Sequence, residues 1–263
     1  MVRGIVSAGH PVTADAAAEI LKDGGNAFDS AIAGLLACLT PETVLASLGG
    51  GGYLMAYDAA ADRTTLYDFF VDTPRLKRPA GEIDFRSVHV DFGPATQEFH
   101  VGVGATATPG FVPGIFAVHA DLCSLPMTRI AEPAVRIARD GVTMTTFQAY
   151  LFSIIAPILT LEEAGSALHA PEGHVLAAGE CFRNPALADT LERLAREGAD
   201  LFIHGDVGKA ILHQSAEGGG HLSLEDLEGY RVEKRLPLNW IHHGHDVFLT
   251  PAPAAGGPLI AFG

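Results

Sequence analysis

At 263 residues, with 48% hydrophobic and 18% charged positions, the chain has the size and composition of one large globular domain with a well-supplied core. Seventeen Lys+Arg against 31 Asp+Glu leave a formal net charge of -14. That field repels phosphate backbones and anionic headgroups, which argues against nucleic acid and membrane surfaces as partners.

Met1-Val2-Arg3-Gly4 leads straight into a short extended piece bracketed by Ile5 and Pro11, with no charged, apolar and small-residue regions of an export leader in order. Thr13 then offers an N-cap to a helix from Ala14 to Asp23, where Ala17, Ile20 and Leu21 form an apolar face, and Gly24-Gly25 ends it. Asn26 can cap the next helix, with Asp29 placing a carboxylate at its positive end. The run Ala31 to Leu39 is apolar all round, so this helix should be buried.

Gly49 to Gly52 are four consecutive glycines, a costly choice unless the backbone bends through positive φ or another group approaches closer than a Cβ allows. Tyr53 to Asp58 and Thr64 to Phe69 read as a hairpin, and the Pro-, Gly- and charge-rich residues 74 to 98 as a long surface loop. From Phe111 the chain becomes mostly helical. Thr128 to Asp140 ends at Gly141, Asn184 caps Pro185 to Glu197, and Ser223 with Asp226 opens a short helix. Tyr230 to Arg235 and Asp246 to Thr250 return to strand.

Several common chemistries lack their residues. The glycine run has no Gly-Lys-Ser/Thr after it to reach phosphates, and Pro109-Gly110 interrupts the dinucleotide-like Gly102-Val103-Gly104, so no nucleotide cofactor is expected. His242, His243 and His245 have no second cluster at ligand spacing and read as a solvated turn, leaving no metal site. Zinc-protease, nucleophile-elbow and Cys-x-x-Cys signatures are absent. Thr145-Thr146 precedes an apolar helical run and reads as an N-cap rather than a nucleophile. Cys38, Cys123 and Cys181, odd in number and widely spaced, suit buried free thiols in a reducing compartment, which points to the cytoplasm.

In series, these segments resemble the large subunit of the γ-glutamyltranspeptidases. The matching blocks are Gly24-Gly25-Asn26-Ala27-Phe28-Asp29-Ser30-Ala31, Ser47-Leu48-Gly49-Gly50-Gly51-Gly52-Tyr53 and Asp68-Phe69. Thr108-Pro109-Gly110, Glu132-Pro133-Ala134 through Asp140-Gly141, Leu224-Glu225-Asp226-Leu227 and Pro251 to Gly257 follow in family order. The resemblance implies an α/β fold, an αββα sandwich of the N-terminal nucleophile hydrolase kind, with residues 1–263 forming the amino-terminal part of a large subunit and the sandwich incomplete. It implies a self-cleaving precursor whose new amino-terminal threonine attacks small-molecule or peptide amides, γ-glutamyl amides such as glutathione among them.

No residue here matches that nucleophile, so no catalytic residue is assigned and the small-subunit segment is the missing partner. The family's Asp-Phe-Arg supplies an arginine whose fork holds the substrate carboxylate. Here the block reads Asp68-Phe69-Phe70, which makes Phe70 the candidate substrate-binding residue and removes the carboxylate clamp. The opposing interpretations are that Phe69 and Phe70 both pack in the core, and that the chain is a non-catalytic binding or scaffold protein derived from this family.

Overall fold

The computed structural model describes residues 4–263, so the part of the leader argument that rests on Met1 to Arg3 lies outside the described residues. The extended piece after Gly4 pairs with no strand among the described residues. Helix α1 is Pro11–Lys22, starting three residues earlier than expected, because the cap is His10 and not Thr13. The Val12 N–H donates to His10 Nδ1 at 3.2 Å, and Pro11 takes the first helical position, where its missing N–H costs nothing. Thr13 is buried inside the helix and donates to Glu42 at 3.1 Å.

Helix α2, Ala27–Ala37, starts as expected. The Asn26 side chain accepts from Phe28 N and Asp29 N at 2.8 and 2.9 Å, and Asp29 accepts from Asn26 N at 2.7 Å, a reciprocal cap. Asp29 has no exposed surface and also accepts from Ser124 N, Ser124 Oγ and Leu125 N, so one carboxylate ties the start of α2 to a distant turn. Burial alone would raise its pKa, but these hydrogen bonds outweigh it and hold the group below the usual carboxylate range.

Strands β1, Gly52–Asp58, and β2, Arg63–Phe69, form the expected hairpin, with Tyr53 opposite Asp68. Residues 74 to 98 are not one loop. Strands β3, Arg86–Asp91, and β4, Thr96–Val101, pair as a second hairpin. Val88 and Val90 alternate with Ser87, His89 and Asp91 in the two-residue period of a strand, whereas Gly93 and Pro94 belong only to its turn.

Helices α3, Phe111–Leu122, and α4, Met127–Asp140, come next, and Gly141 stops α4 at φ 87°. The short strand β5, Val142–Thr143, precedes α5, Thr146–Leu159, which Thr145 caps in a box with Gln148. Then follow α6, Glu163–His169, and β6, Cys181–Phe182, which pairs with β5. Asn184 caps α7, Pro185–Glu197, and α8 is Asp206–Glu217. Helix α9, Leu224–Gly229, carries the Ser223/Asp226 box. Strand β7 is limited to Glu233–Arg235. A final hairpin of β8, Leu238–His242, and β9, His245–Leu249, leads to α10, Gly256–Phe262.

The main sheet has the order β1-β2-β7. One face, with Ala56, Tyr67 and Phe69, closes on α2 and α3 residues Ile32, Leu36, Val112 and Ile115, and α4 and α7 extend that core through Ile130, Ala134 and Leu191. A smaller core gathers Val142, Met144, Phe152 and Phe182. Residues alternate across a strand, so Tyr53, Met55 and Tyr57 share the sheet's other face, where Met55 and Tyr57 are exposed. The described residues thus supply one helical layer and one sheet of the four layers that the resemblance implies.

Candidate functional site

The site is built where β2 ends, against the glycine run. None of Gly49 to Gly52 has a positive φ, so close approach, not a left-handed bend, is the reason for them. The Gly50 carbonyl accepts from Gly110 N and Phe111 N at 3.0 and 2.9 Å, which pins the run to the start of α3. A Cβ on Gly51 would stand 2.6 Å from the Phe69 carbonyl oxygen and 2.7 Å from Val71 N. Any side chain there would push β2's end away.

Phe69 and Phe70 point to opposite faces, and only one of them is core. Phe69 is 2% exposed and lies over Gly114, whose Cβ would meet its ring carbon at 2.3 Å. Phe70, just past β2, is 53% exposed on the open face, its ring stacked on Tyr53 with centroids 5.5 Å apart and planes 13° from parallel. The two rings thus point to opposite faces, and within the described residues only Phe69 is packed in the core. Its N–H donates to Asp68 Oδ1 at 3.2 Å, and its carbonyl accepts from the Tyr230 hydroxyl at 2.7 Å.

Charge around this end is mostly negative. Asp68, Asp72 and Glu233 each push the Tyr230 phenol pKa upward, after burial, which is the largest cause. The guanidinium closest to hand is spoken for: Arg235 donates to Asp68 at 2.8 Å and to the Ala252 carbonyl. Beside the site, a cleft of about 350 Å³ runs along Leu35, Thr43, Ser47, Gly51 and Tyr53. A groove of about 510 Å³ continues along α2 through Gly34, Leu35, Cys38 and Met55.

The remaining candidates stay outside this site. Thr145 serves as a cap, its hydroxyl accepting from Gln148 N at 3.2 Å. His242 and His245 are the last pair of the β8–β9 hairpin, not turn residues, and only His243 of the three lies in the turn, at φ 49°; all three are exposed. Among the described residues no three His, Cys, Asp or Glu side chains gather as metal ligands, and no helix is long and apolar enough to cross a membrane. Cys38 and Cys123 are shielded, and burial pushes both thiols up to about 12, with Glu42 and Asp29 adding to it respectively. Cys181 is exposed, contrary to the expectation that all three are buried, because it lies on the outer face of the two-residue strand β6 while Phe182 turns inward.

Sequence reasoning missed Tyr53, Tyr230 and Arg235. Tyr230 meets Phe70 across 160 residues of chain, and no local pattern encodes such a contact.

A helical layer on one face of a sheet, with a glycine run clamped beneath the sheet's end, is the arrangement of the amino-terminal part of a large subunit in the N-terminal nucleophile hydrolase fold. The γ-glutamyltranspeptidase family profile matches residues 13–262, and the chain belongs to that family. It is 30% identical over 261 residues to the Acylase ACY 1 proenzyme of Pseudomonas sp. (strain V22), covering 98% of this chain and 46% of that protein. It is 28% identical over 256 residues to the glutathione hydrolase proenzyme of Escherichia coli (strain K12), covering 97% and 43%. Among solved structures, the γ-glutamyltranspeptidase from Pseudomonas nitroreducens complexed with L-DON superposes with a TM-score of 0.83 at 27% identity, over 99% of this chain and 75% of that one. The chain spans less than half the length of these curated relatives. Their names are those of enzymes, and nothing among them supports the scaffold alternative.

Proposed function

We propose that this chain provides the acyl-binding side of a threonine-dependent amide hydrolase or acyltransferase whose acyl donor carries no carboxylate at the position the family clamps. The observation that carries this reading is Phe70, exposed on the open sheet face at the end of an otherwise intact Asp68-Phe69 frame. An uncharged phenyl ring in acidic surroundings offers a carboxylate no hydrogen bond and some repulsion. It offers an apolar acyl group contact area and a stacking partner in Tyr53. Relatives include both a glutathione hydrolase and an acylase, and Phe70 favours the second kind of donor.

In this reading the attacking threonine and its amine base come from the small-subunit segment, which frees the acyl group to water or an amine. Residues 49–72 orient the acyl group and keep it against the sheet. The free thiols fit a cytoplasmic, reducing compartment. The test is donor preference in the native protein that carries this segment, assayed with phenylacetyl-p-nitroanilide and γ-glutamyl-p-nitroanilide, alongside its intact mass. The expected results are two self-cleaved fragments and kcat/KM at least about tenfold higher for the uncharged donor, the equivalent of ~1.4 kcal/mol. Equal or better turnover of the γ-glutamyl donor would overturn the reading.

A further inference from the structure

At the end of β2 the backbone is held by several contacts while one ring is left half exposed. Asp72 and Thr108 exchange both backbone hydrogen bonds, at 3.2 and 2.8 Å. Arg235 fixes Asp68, and Asp68 accepts from Phe70 N. Gly51 closes the underside, leaving no room even for a methyl group. The Phe70 carbonyl, in turn, accepts from the Tyr230 hydroxyl at 2.7 Å.

Tyr230 is itself tightly packed. It is 8% exposed, and a Cβ on Gly110 would come within 2.2 Å of its hydroxyl oxygen. Burial and the nearby carboxylates also keep its proton in place, so it acts as a donor across the working pH range. Rotation of the peptide that follows Phe70 would swing that carbonyl away from the hydroxyl. With that carbonyl released, the Cα of Phe70 can shift and carry the exposed ring with it, because the ring's own contact, the stack on Tyr53, is weak and directional.

We propose that Tyr230 is a positioning residue for acyl selectivity: its hydroxyl fixes the peptide that carries Phe70, and so sets the angle at which that ring meets an apolar acyl group. This inference rests on Phe70 lining the acyl pocket. Tyr230 touches no reacting atom in it.

The experiment is Tyr230→Phe in the native protein that carries this segment, a change that removes one oxygen and keeps the packed ring. The expected result with phenylacetyl-p-nitroanilide is a KM raised about fivefold, the scale of one neutral hydrogen bond, with kcat within about twofold of the parent. A merely structural role would lower the melting temperature and kcat together and leave KM in place, and that result overturns the proposal. A second readout needs no turnover: nuclear Overhauser contacts between selectively labelled Phe70 and Tyr53 rings weaken in Tyr230→Phe. Contacts retained at full strength overturn the proposal even if the protein hydrolyses no amide. Weakened contacts in a protein without amide turnover would support the positioning role and sink the functional reading on which its consequence depends.

Discussion

Phe70 concentrates the functional question in one side chain, because it is the position at which the block Asp68-Phe69-Phe70 departs from the Asp-Phe-Arg that the family resemblance leads one to expect. If the ring replaces a carboxylate clamp, restoring a guanidinium should restore the clamp. The site is half exposed, so the gain sits at the low end of what a charge-assisted hydrogen bond yields, about 1.5 kcal/mol of a possible 3. Asp68 and Asp72 nearby will also compete for the new cation. Phe70→Arg is therefore expected to shift the ratio of kcat/KM towards γ-glutamyl over phenylacetyl donors by roughly tenfold. A variant that self-cleaves normally and keeps the parent's preference would assign Phe70 to packing alone. The position was legible in the sequence because the motif is contiguous. Its aromatic neighbour Tyr53 was not, since the stack depends on the diagonal register of β1 on β2, which places both rings on one face.

Among the elements, Asp29 shows how much a cap can do beyond its own helix. It accepts from Asn26, Ser124 and Leu125, so Asp29→Ala would leave several shielded N–H groups without an acceptor and loosen α2 from the turn after α3. A loss of about 3 kcal/mol is expected, measurable by urea denaturation. Because the folded pKa lies below the ordinary 3.8, the carboxylate's contribution is fully present above 3.8 and disappears as pH falls through the folded value. The parent should lose stability through that acid window more steeply than Asp29→Ala; parallel pH profiles would remove Asp29 from the account. Helix starts at Asn26, Thr145, Asn184 and Ser223 could be read in advance, since each cap acts within three residues of itself. The β3–β4 hairpin was hidden by charged residues on its outer face, and the β7 partner of β2 by sheer separation in the chain. At α1 the error was one of competition: His10 followed by Pro11 outranked a threonine whose hydroxyl was committed to Glu42.

For the whole molecule, the decisive feature is a sheet packed by helices on one side and only partly covered on the other, where Leu66 is buried but Met55, Tyr57 and Phe70 are exposed. The family fold implies a second sheet against the face that carries Tyr53, Met55, Tyr57 and Phe70. Leu236, Ile241, Leu259, Ile260 and Phe262 add further exposed apolar surface in the last thirty or so residues. Isolated apolar side chains on a surface mean little, but a sheet face and an unpaired β1 edge side by side form an adhesive surface. The 263-residue chain alone should therefore bind the dye ANS, melt with poor cooperativity and self-associate. It should also turn over neither p-nitroanilide donor if, as the resemblance implies, the family nucleophile belongs to the small-subunit segment. Co-expression with the family's small-subunit segment should quench most of the ANS signal and raise the soluble yield by giving the open face its second sheet. A monodisperse, ANS-silent monomer with a single sharp transition would show that this face needs no cover. Amide turnover by the isolated chain, abolished by changing one of its own threonines, would go further and place the nucleophile inside residues 1–263.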